Sequence, residues 1–544
     1  MATKLRRRIR IAIPALLALV ATAWILGNLV LDVPIAGRSE HRDGISLPAP
    51  AGATLREVFE TFPLKGGPDS RIALLEDNTE AWVARWRMLG EARERLDVSY
   101  FILHQDIFGL SFLGHLLHKA REGVRIRILL DALGTRMSLD VGGNDYLDTL
   151  VGIQHVAVKL YRPWFFRFTD AFLTLKPIAL AASDHDKILI VNGQLAMTGG
   201  RNIGAEYFAD PKDDAMAFRD LDVILAGKEI GASLTYVFDA NFRSGAARPV
   251  TPDTVDVVDW GNDLLLAYRA MDAWLHGQAV PEETSAAIRS KGFSWLDDLA
   301  KFPRLRGALR RKPAARSIAA EVRLLDSRPR LLESGDPISV SLLRFIQTAS
   351  DEIVLQTPYL VLPKEVVPVL ENAAARGVRI TVLTNSPLSS DNAPSQAFFL
   401  EQWPELLARV PTLRLFVFGD RHNLHAKAGE IDGRLMLAGT YNVDPFSMAV
   451  NGEVIAAAWS VPLAQQLRAK TQRLIASGPP VVYEYRIARD GQGRPQRDGE
   501  GKVVVAFGPK DHSRPEQWKS VSGFWKLLRV AKKVPGTSRL LWTK

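Results

Sequence analysis

The 544-residue chain contains no cysteine. That excludes disulfides, thiolate metal centres and thiol nucleophiles, and it leaves the redox compartment unreadable. Charge is missing from residues 11–31, "IAIPALLALVATAWILGNLVL". A helix crosses a bilayer core with about 20 apolar residues. Acids are missing from the first ten residues, which hold Lys4, Arg6, Arg7, Arg8 and Arg10. Such a basic flank stays cytoplasmic, so everything beyond Asp32 is expected across the membrane. A cleaved signal peptide has the same flank but an apolar core of about 7–15 residues. The longer run therefore favours an uncleaved signal-anchor.

The interleaved basic-aromatic groove of a nucleic-acid enzyme is also absent, and no nucleic-acid partner is expected. The net charge of +9 sits at the ends. Residues 479–544 hold 14 Lys/Arg against 6 Asp/Glu, while residues 46–478 sum to −3. Charge so placed suits contact with an anionic membrane surface.

What is present is a repeat. "HLLHKAREGVRIRILLDALG" (115–134) reads as a helix, a stop at Gly123 and a buried strand. "VLENAAARGVRITVLTNS" (369–386) reads the same way. Each copy is followed by another strand, 155–162 and 412–419. Strands alternating with helices indicate an α/β fold with mixed sheets flanked by helices. The expected organisation is an anchor and linker (1–45), a first domain (46–261), a helical basic linker (262–330), a second domain (331–478) and a basic C-terminal hairpin with an amphipathic tail (479–544). Two copies imply a pseudo-twofold pair within one chain. In the tail, Val521, Phe524, Trp525, Leu528 and Ala531 fall at helical spacing, either for an anionic lipid surface or for the protein's own core.

The punctuation of the two halves matches at one offset of 240 residues. His185 and Lys187 correspond to His425 and Lys427, Asn192 to Asp432, Gly199-Gly200 to Gly439-Thr440, and Asn202 to Asn442. A lone His-x-Lys is weak, but two at one spacing in a duplicated unit are not. Residues i and i+2 of a strand share a face. Asn192-Gly193 and Asp432-Gly433 favour hairpin turns, whose return strands bring back Gly-x-Asn or Thr-x-Asn. The pair of motifs gathers two imidazoles, two ammonium groups and two carboxamides. That set suits a phosphodiester. Lys187, Lys427, Asn202 and Asn442 would hold its non-bridging oxygens, with Gly200 and Thr440 beside them. One histidine would attack phosphorus, and the other would protonate the leaving oxygen. No metal or cofactor is expected, because the lysines supply positive charge.

These residues resemble the phospholipase D superfamily, marked by His-x-Lys-x4-Asp-x6-Gly-[Gly/Ser/Thr]-x-Asn twice per site. "TGGRNIGAEYF" (198–208), "FRDLDVILAG" (218–227) and "AGTYNVDPFSMAVNGEV" (438–454) resemble its bacterial cardiolipin synthase C-type branch. The resemblance implies duplicated phospholipase D-like domains and a phospholipid substrate. It also implies a transferase or hydrolase at a bacterial inner membrane, single-pass, with a periplasmic body. It makes His185 the nucleophile, His425 the general acid, Asp432 a motif carboxylate and Glu453 the carboxylate that orients a histidine. Asp222 is its expected first-half counterpart. At position 192 the chain has Asn where that family has Asp. A nuclease-like phosphodiesterase and a non-catalytic lipid-binding scaffold remain the alternatives. His104, His115, His118, Trp82 and Trp86 read as core or structural, and His422 as a loop residue.

Overall fold

Seven strands recur in each half, in one order. The computed structural model describes residues 49, 52–138, 145–164, 166–169, 180–251, 260–313, 315–328, 336–363 and 365–531. In the first half these are β1 (Arg71–Leu75), β2 (Arg95–Tyr100), β3 (Arg125–Asp131), β4 (Val156–Tyr161), β5 (Lys187–Val191), β6 (Leu195–Gly199) and β7 (Asp222–Ala226). They lie side by side as β1-β7-β6-β5-β2-β3-β4. The second half has β8 (Glu321–Ser327), β9 (Glu352–Gln356), β10 (Arg379–Asn385), β11 (Leu413–Phe418), β12 (Ala428–Ile431), β13 (Leu435–Gly439) and β14 (Glu453–Trp459). Their order is β8-β14-β13-β12-β9-β10-β11, the same permutation. In each sheet three strands run parallel (β2-β3-β4, β9-β10-β11) and the rest antiparallel.

The helices used below are α1 (Asn78–Gly90), α2 (Ile107–Arg121), α3 (Trp260–Leu275), α4 (Pro337–Thr348), α5 (Val366–Ala375), α6 (Ala393–Arg409) and α7 (Lys519–Ala531). Parallel neighbours need a crossover, which α2 and α5 provide. Asp106 Oδ1 opens α2 by accepting from the Phe108 and Gly109 amides, each at 2.9 Å. Both crossovers stop at a glycine with positive φ, Gly123 at +91° and Gly377 at +85°, the left-handed turn that favours glycine after a helix.

The two sheets meet face to face. Ile188, Ile190, Ala196, Val223 and Leu225 of the first half share one buried layer with Ala428, Met436, Ala438, Val454 and Ala456 of the second. The helices Lys228–Phe242 and Val461–Ala476 add Leu234 and Leu467 to it. Each half keeps a further core under its outer helices, where Trp82 and Trp86 are buried. Because the strand pairs β5–β6 and β12–β13 face each other, the residues at their ends converge.

Segment placement differs from the sequence expectation in two places. Residues 55–65 belong with the second half: Leu55, Val58 and Phe59 enter its core, and Leu64–Lys65 pairs with β8. The stretch expected as a linker, 262–330, holds helices and strands among its described residues. Its α3 packs on α2, and its residues 321–327 are β8, paired antiparallel with β14. The C-terminal strands Val482–Ile487 and Val505–Phe507 extend the second sheet beyond β11. Helix α7 docks on α6 through Val521, Trp525 and Leu528, leaving Phe524 46% and Leu527 63% exposed. Residues 11–31 lie outside the described residues, among which no helix is long and apolar enough to cross a membrane.

Candidate active site

The two motif strands enter the site under mutual control. The His185 amide donates to Gly452 O at 2.9 Å, and the Gly452 amide to Ser183 O at 2.9 Å. The twofold-related contacts are His425 amide to Arg219 O and Arg219 amide to Asn423 O, both 2.7 Å. Each half therefore fixes the other's histidine by two backbone bonds. Both rings are nearly enclosed, at 8% and 5% exposure. Lys187 and Lys427 are buried, and each Nζ donates back to the carbonyl of the histidine two residues earlier, 2.7 Å for Lys187. Phe101 walls His185 with centroids 4.9 Å apart, and Tyr207 and Phe218 wall His425 at 5.5 and 5.4 Å.

The carboxylates cross between halves. His185 Nδ1 donates to Glu453 Oε2 at 2.9 Å, and His425 Nδ1 donates to Asp220 Oδ2 at 2.7 Å. The first-half carboxylate is thus Asp220, not the expected Asp222. Register gives the reason. Gly199 lies opposite Asp222, and Gly439 lies opposite Ile455. Two residues earlier stand Asp220 and Glu453, so these are the equivalent positions. Asp222 instead neutralises buried Arg85 and Arg201 at 2.9 and 3.0 Å. Arg201 also donates to Asp220 O at 2.9 Å and so anchors the catalytic-strand entry.

Other residues expected at the site serve its frame. Asp432 lies in the hairpin turn at the far end of β12. Its carboxylate accepts from the Ser350, Asp351 and Glu352 amides at 2.8–3.0 Å. Asn192 does the same with its carboxamide oxygen, accepting from the Arg93 and Glu94 amides at 3.1 and 3.0 Å. Both turns hold φ near +50°, which Asn and Asp tolerate. A charge is therefore not required there, and Asn replaces Asp with the same bonds. Gly200 makes room for a protein carboxylate: an added Cβ would sit 2.0 Å from Asp220 Oδ1. Thr440 Oγ1 donates to Glu453 Oε2 at 2.5 Å, and Ser447 Oγ to Glu453 Oε1 at 2.6 Å. Asn202 is spent on the Ile102 amide and Tyr207 Oη. Asn442 retains a buried Oδ1 with no protein partner. His115 is packed on Trp86 and Tyr268, and His422 is held in a loop by Asp420.

Burial makes the site reluctant to carry charge. It lowers Lys187 to about 7, with Lys427 adding to the effect, and Lys427 to about 8 against the pull of the carboxylates around it. Burial also pulls His185 well below its ordinary value, helped by Lys187, Lys427 and His425, which places the cations of both halves in one field. Burial pushes Glu453 up to about 8. It would raise Asp220 too, but His425, Lys427 and Arg201 overcome it and hold that carboxyl low. An oxyanion favours protonated lysines, so its binding takes up protons wherever the free lysines are neutral. The sign follows: affinity is highest below pH 7 and falls as pH rises through 7 and 8. Tungstate, dianionic across this range, is expected to bind roughly tenfold or more weakly at pH 9 than at pH 6 by calorimetry. Lys187→Met should flatten the profile; a flat wild-type profile would contradict the assignment.

A family model described as "Cardiolipin synthase, PLD-like domain" matches residues 86–240 and 342–475. The chain belongs to this PLD-like family. It is an enzyme of the phospholipase D-like kind, and the two matched segments carry one His-Lys pair each. Cardiolipin synthase C of Escherichia coli (strain K12) is 27% identical over 493 residues, covering 85% of this PLD-like chain and 94% of that protein. A cardiolipin synthase of Listeria monocytogenes serotype 4b (strain CLIP80459) is 24% identical over 402 residues, 73% of this chain and 67% of that protein. Among solved structures, phosphatidylserine synthase of Haemophilus influenzae Rd KW20 superimposes with a TM-score of 0.57 at 13% identity. The match covers 90% of this chain and 100% of that one, a likeness of fold.

Proposed function

We propose that this PLD-like enzyme transfers phosphatidyl groups between alcohols at a membrane, with cardiolipin formation from phosphatidylglycerol as the reaction it fits best. The observation that carries this reading is the crossed pair of dyads, His185–Glu453 and His425–Asp220, facing two buried lysines. His185 is the nucleophile. Glu453 fixes its Nδ1, which leaves Nε2 for phosphorus. As the Nε2–P bond forms, the bond from phosphorus to the headgroup oxygen breaks, and His425 gives that oxygen its proton. Asp220, held ionised, stabilises the imidazolium that His425 must be before this step. An acceptor hydroxyl then yields its proton to His425 and attacks phosphorus, and the P–N bond breaks. Lys187, Lys427 and Asn442 take the charge on the non-bridging oxygens. The uncharged run at 11–31 with its basic flank supports a single-pass anchor in a bacterial inner membrane with a periplasmic body. Exposed Phe524 and Leu527 beside Lys526 and Arg529 support contact of α7 with that surface.

Purified full chain in mixed micelles of phosphatidylglycerol is expected to release glycerol and form cardiolipin. Acid quench should trap label from the lipid on the protein. Turnover no faster than that of His185→Ala would end this reading. DNA cleavage without any lipid turnover would transfer it to the phosphodiesterase alternative.

A further inference from the structure

One difference between the two halves, at the crossover helix, leaves a space. Aligned at Gly123 and Gly377, α2 has 15 residues and α5 has 10, so α5 lacks the first turn and a half of its counterpart. Extended chain at Val361–Pro363 replaces it. The first half fills the region under α1 and α2 with rings: Trp82, Trp86, Phe108 and Phe112 are all at most 3% exposed. Trp82 and Phe108 meet edge to face at 4.9 Å. The second half has mostly aliphatic side chains there, packed around a gap. A cavity of about 120 Å³ remains between β9, β10 and the helices α4, α5 and α6, walled by Leu343, Ile346, Leu355, Val382, Leu406 and Tyr441. Interiors are normally close-packed, and an apolar void of this size stays dry and accepts apolar guests.

The cavity has a direction. Its wall includes Leu360, Leu362 and Val443. Leu362 is also part of the wall of an outer groove of about 100 Å³, lined by Phe398, Gln402, Pro445 and Phe446 among others. Val443 follows Asn442, whose carboxamide oxygen is unpartnered in the site, and the Val361 amide bonds Val443 O at 3.0 Å. The partition between groove and cavity is thus Leu362, pinned by Gln402 through its amide and its carbonyl at 3.1 and 3.0 Å. An apolar slot begins one residue from the phosphate-facing loop of the second half.

We infer that this slot holds one acyl chain of the glycerophospholipid whose phosphodiester sits between the histidines, so that the enzyme grips its donor lipid by a chain as well as by the phosphate. The inference rests on the phosphatidyl-transfer reading. An acyl chain fits because a phosphodiester held by the Asn442 carboxamide N–H delivers one to this side, and because the lining is mostly aliphatic, its Glu430 carboxylate being tied to Arg468 at 2.7 Å.

Ile346→Phe and Val382→Phe each place a ring in the cavity. Each is expected to lower kcat/KM on dioleoyl phosphatidylglycerol about tenfold, the cost of displacing roughly two methylenes. Each should leave dihexanoyl phosphatidylglycerol within twofold and keep or raise Tm, since a void is filled. The long-to-short ratio is taken within each variant and does not depend on the amount of folded protein. An unchanged ratio in both variants overturns the inference. A second readout needs no turnover. Phosphatidylglycerol with dibrominated acyl chains should quench tryptophan fluorescence in wild type and less in Ile346→Phe, Trp403 being in the same core. Equal quenching in both overturns the acyl slot. Wild-type quenching without turnover of any lipid would instead overturn the transfer chemistry and keep the slot.

Discussion

His185→Ala is expected to abolish phosphatidyl transfer by more than about 10⁴-fold, whatever the leaving group, and to leave no label on the protein after acid quench. His425→Ala should behave differently. With a natural lipid the leaving oxygen is a poor one and needs its proton, so turnover should drop roughly 10³-fold or more. With a 4-nitrophenyl ester of phosphatidic acid the leaving group departs unprotonated. His425→Ala should then release one equivalent of nitrophenol in a burst and accumulate the phosphatidyl-enzyme, because the base that activates the acceptor is gone. The asymmetry comes from the carboxylates. Asp220 lies among His425, Lys427 and Arg201, which hold it ionised, and it pulls His425 toward the imidazolium against the burial and Lys427 that lower it. Glu453 receives two hydroxyls, Thr440 and Ser447, and burial keeps its proton affinity high. His185 beside it is held neutral, as a nucleophile must be. A burst from His185→Ala and none from His425→Ala would reverse the two roles. Retention of a tenth of wild-type turnover by either variant would remove the histidines from the chemistry.

The motif and the repeat were legible because they are local. Gly123 and Gly377 stop two crossovers before nearly identical strands, and His-x-Lys recurs at one offset because each copy sits on the same strand of the same sheet order. Fold class followed from that alternation. The carboxylate partner of His425 was not legible for a geometric reason. "DLD" offers Asp220 and Asp222, two residues apart and therefore on one side of an extended chain. Counting from the asparagines does not help: Glu453 lies 11 residues after Asn442, while Asp220 lies 18 after Asn202. Only the pairing of β6 with β7 tells them apart. Nor could sequence show that each carboxylate serves the other half's histidine, which depends on the backbone bridges at Gly452 and Arg219. Gly200 and Thr440 were misread for the same reason. A glycine without a side chain and a hydroxyl both suit a ligand, and here both suit a buried carboxylate. The missing turn and a half of α5 was not read from the sequence, where the two crossovers look alike, and it takes its meaning from the aromatic packing of the first half.

Asp220→Asn and Asp222→Asn, two residues apart, are expected to fail in different ways. Asp220→Asn keeps the size and can still face His425 Nδ1, but it removes the charge that stabilises the imidazolium and fixes the tautomer. Comparable changes in other His–carboxylate pairs cost about 10⁴-fold in kcat. A loss of roughly 10²–10⁴-fold is expected here, with some loss of Tm as well, because the cations that hold the Asp220 carboxyl ionised also favour the fold through it. Asp222→Asn should do the opposite. It removes the anion that faces buried Arg85 and Arg201, leaving Arg85 with the Tyr100 Oη, the Ala81 carbonyl and the face of the Phe208 ring. Removing one partner of a buried ion pair costs about 3–5 kcal/mol. Thermal unfolding should shift down by many degrees, and soluble yield should fall. Whatever folds should retain kcat within a fewfold, since the Asp222 carboxylate touches neither histidine. A folded, inactive Asp222→Asn together with an active Asp220→Asn would restore the sequence expectation and show that the observed register is wrong at β7. The opposite pattern ties catalysis to the position facing across the halves, and it makes the shared strand register of the two sheets the feature that aligns the site.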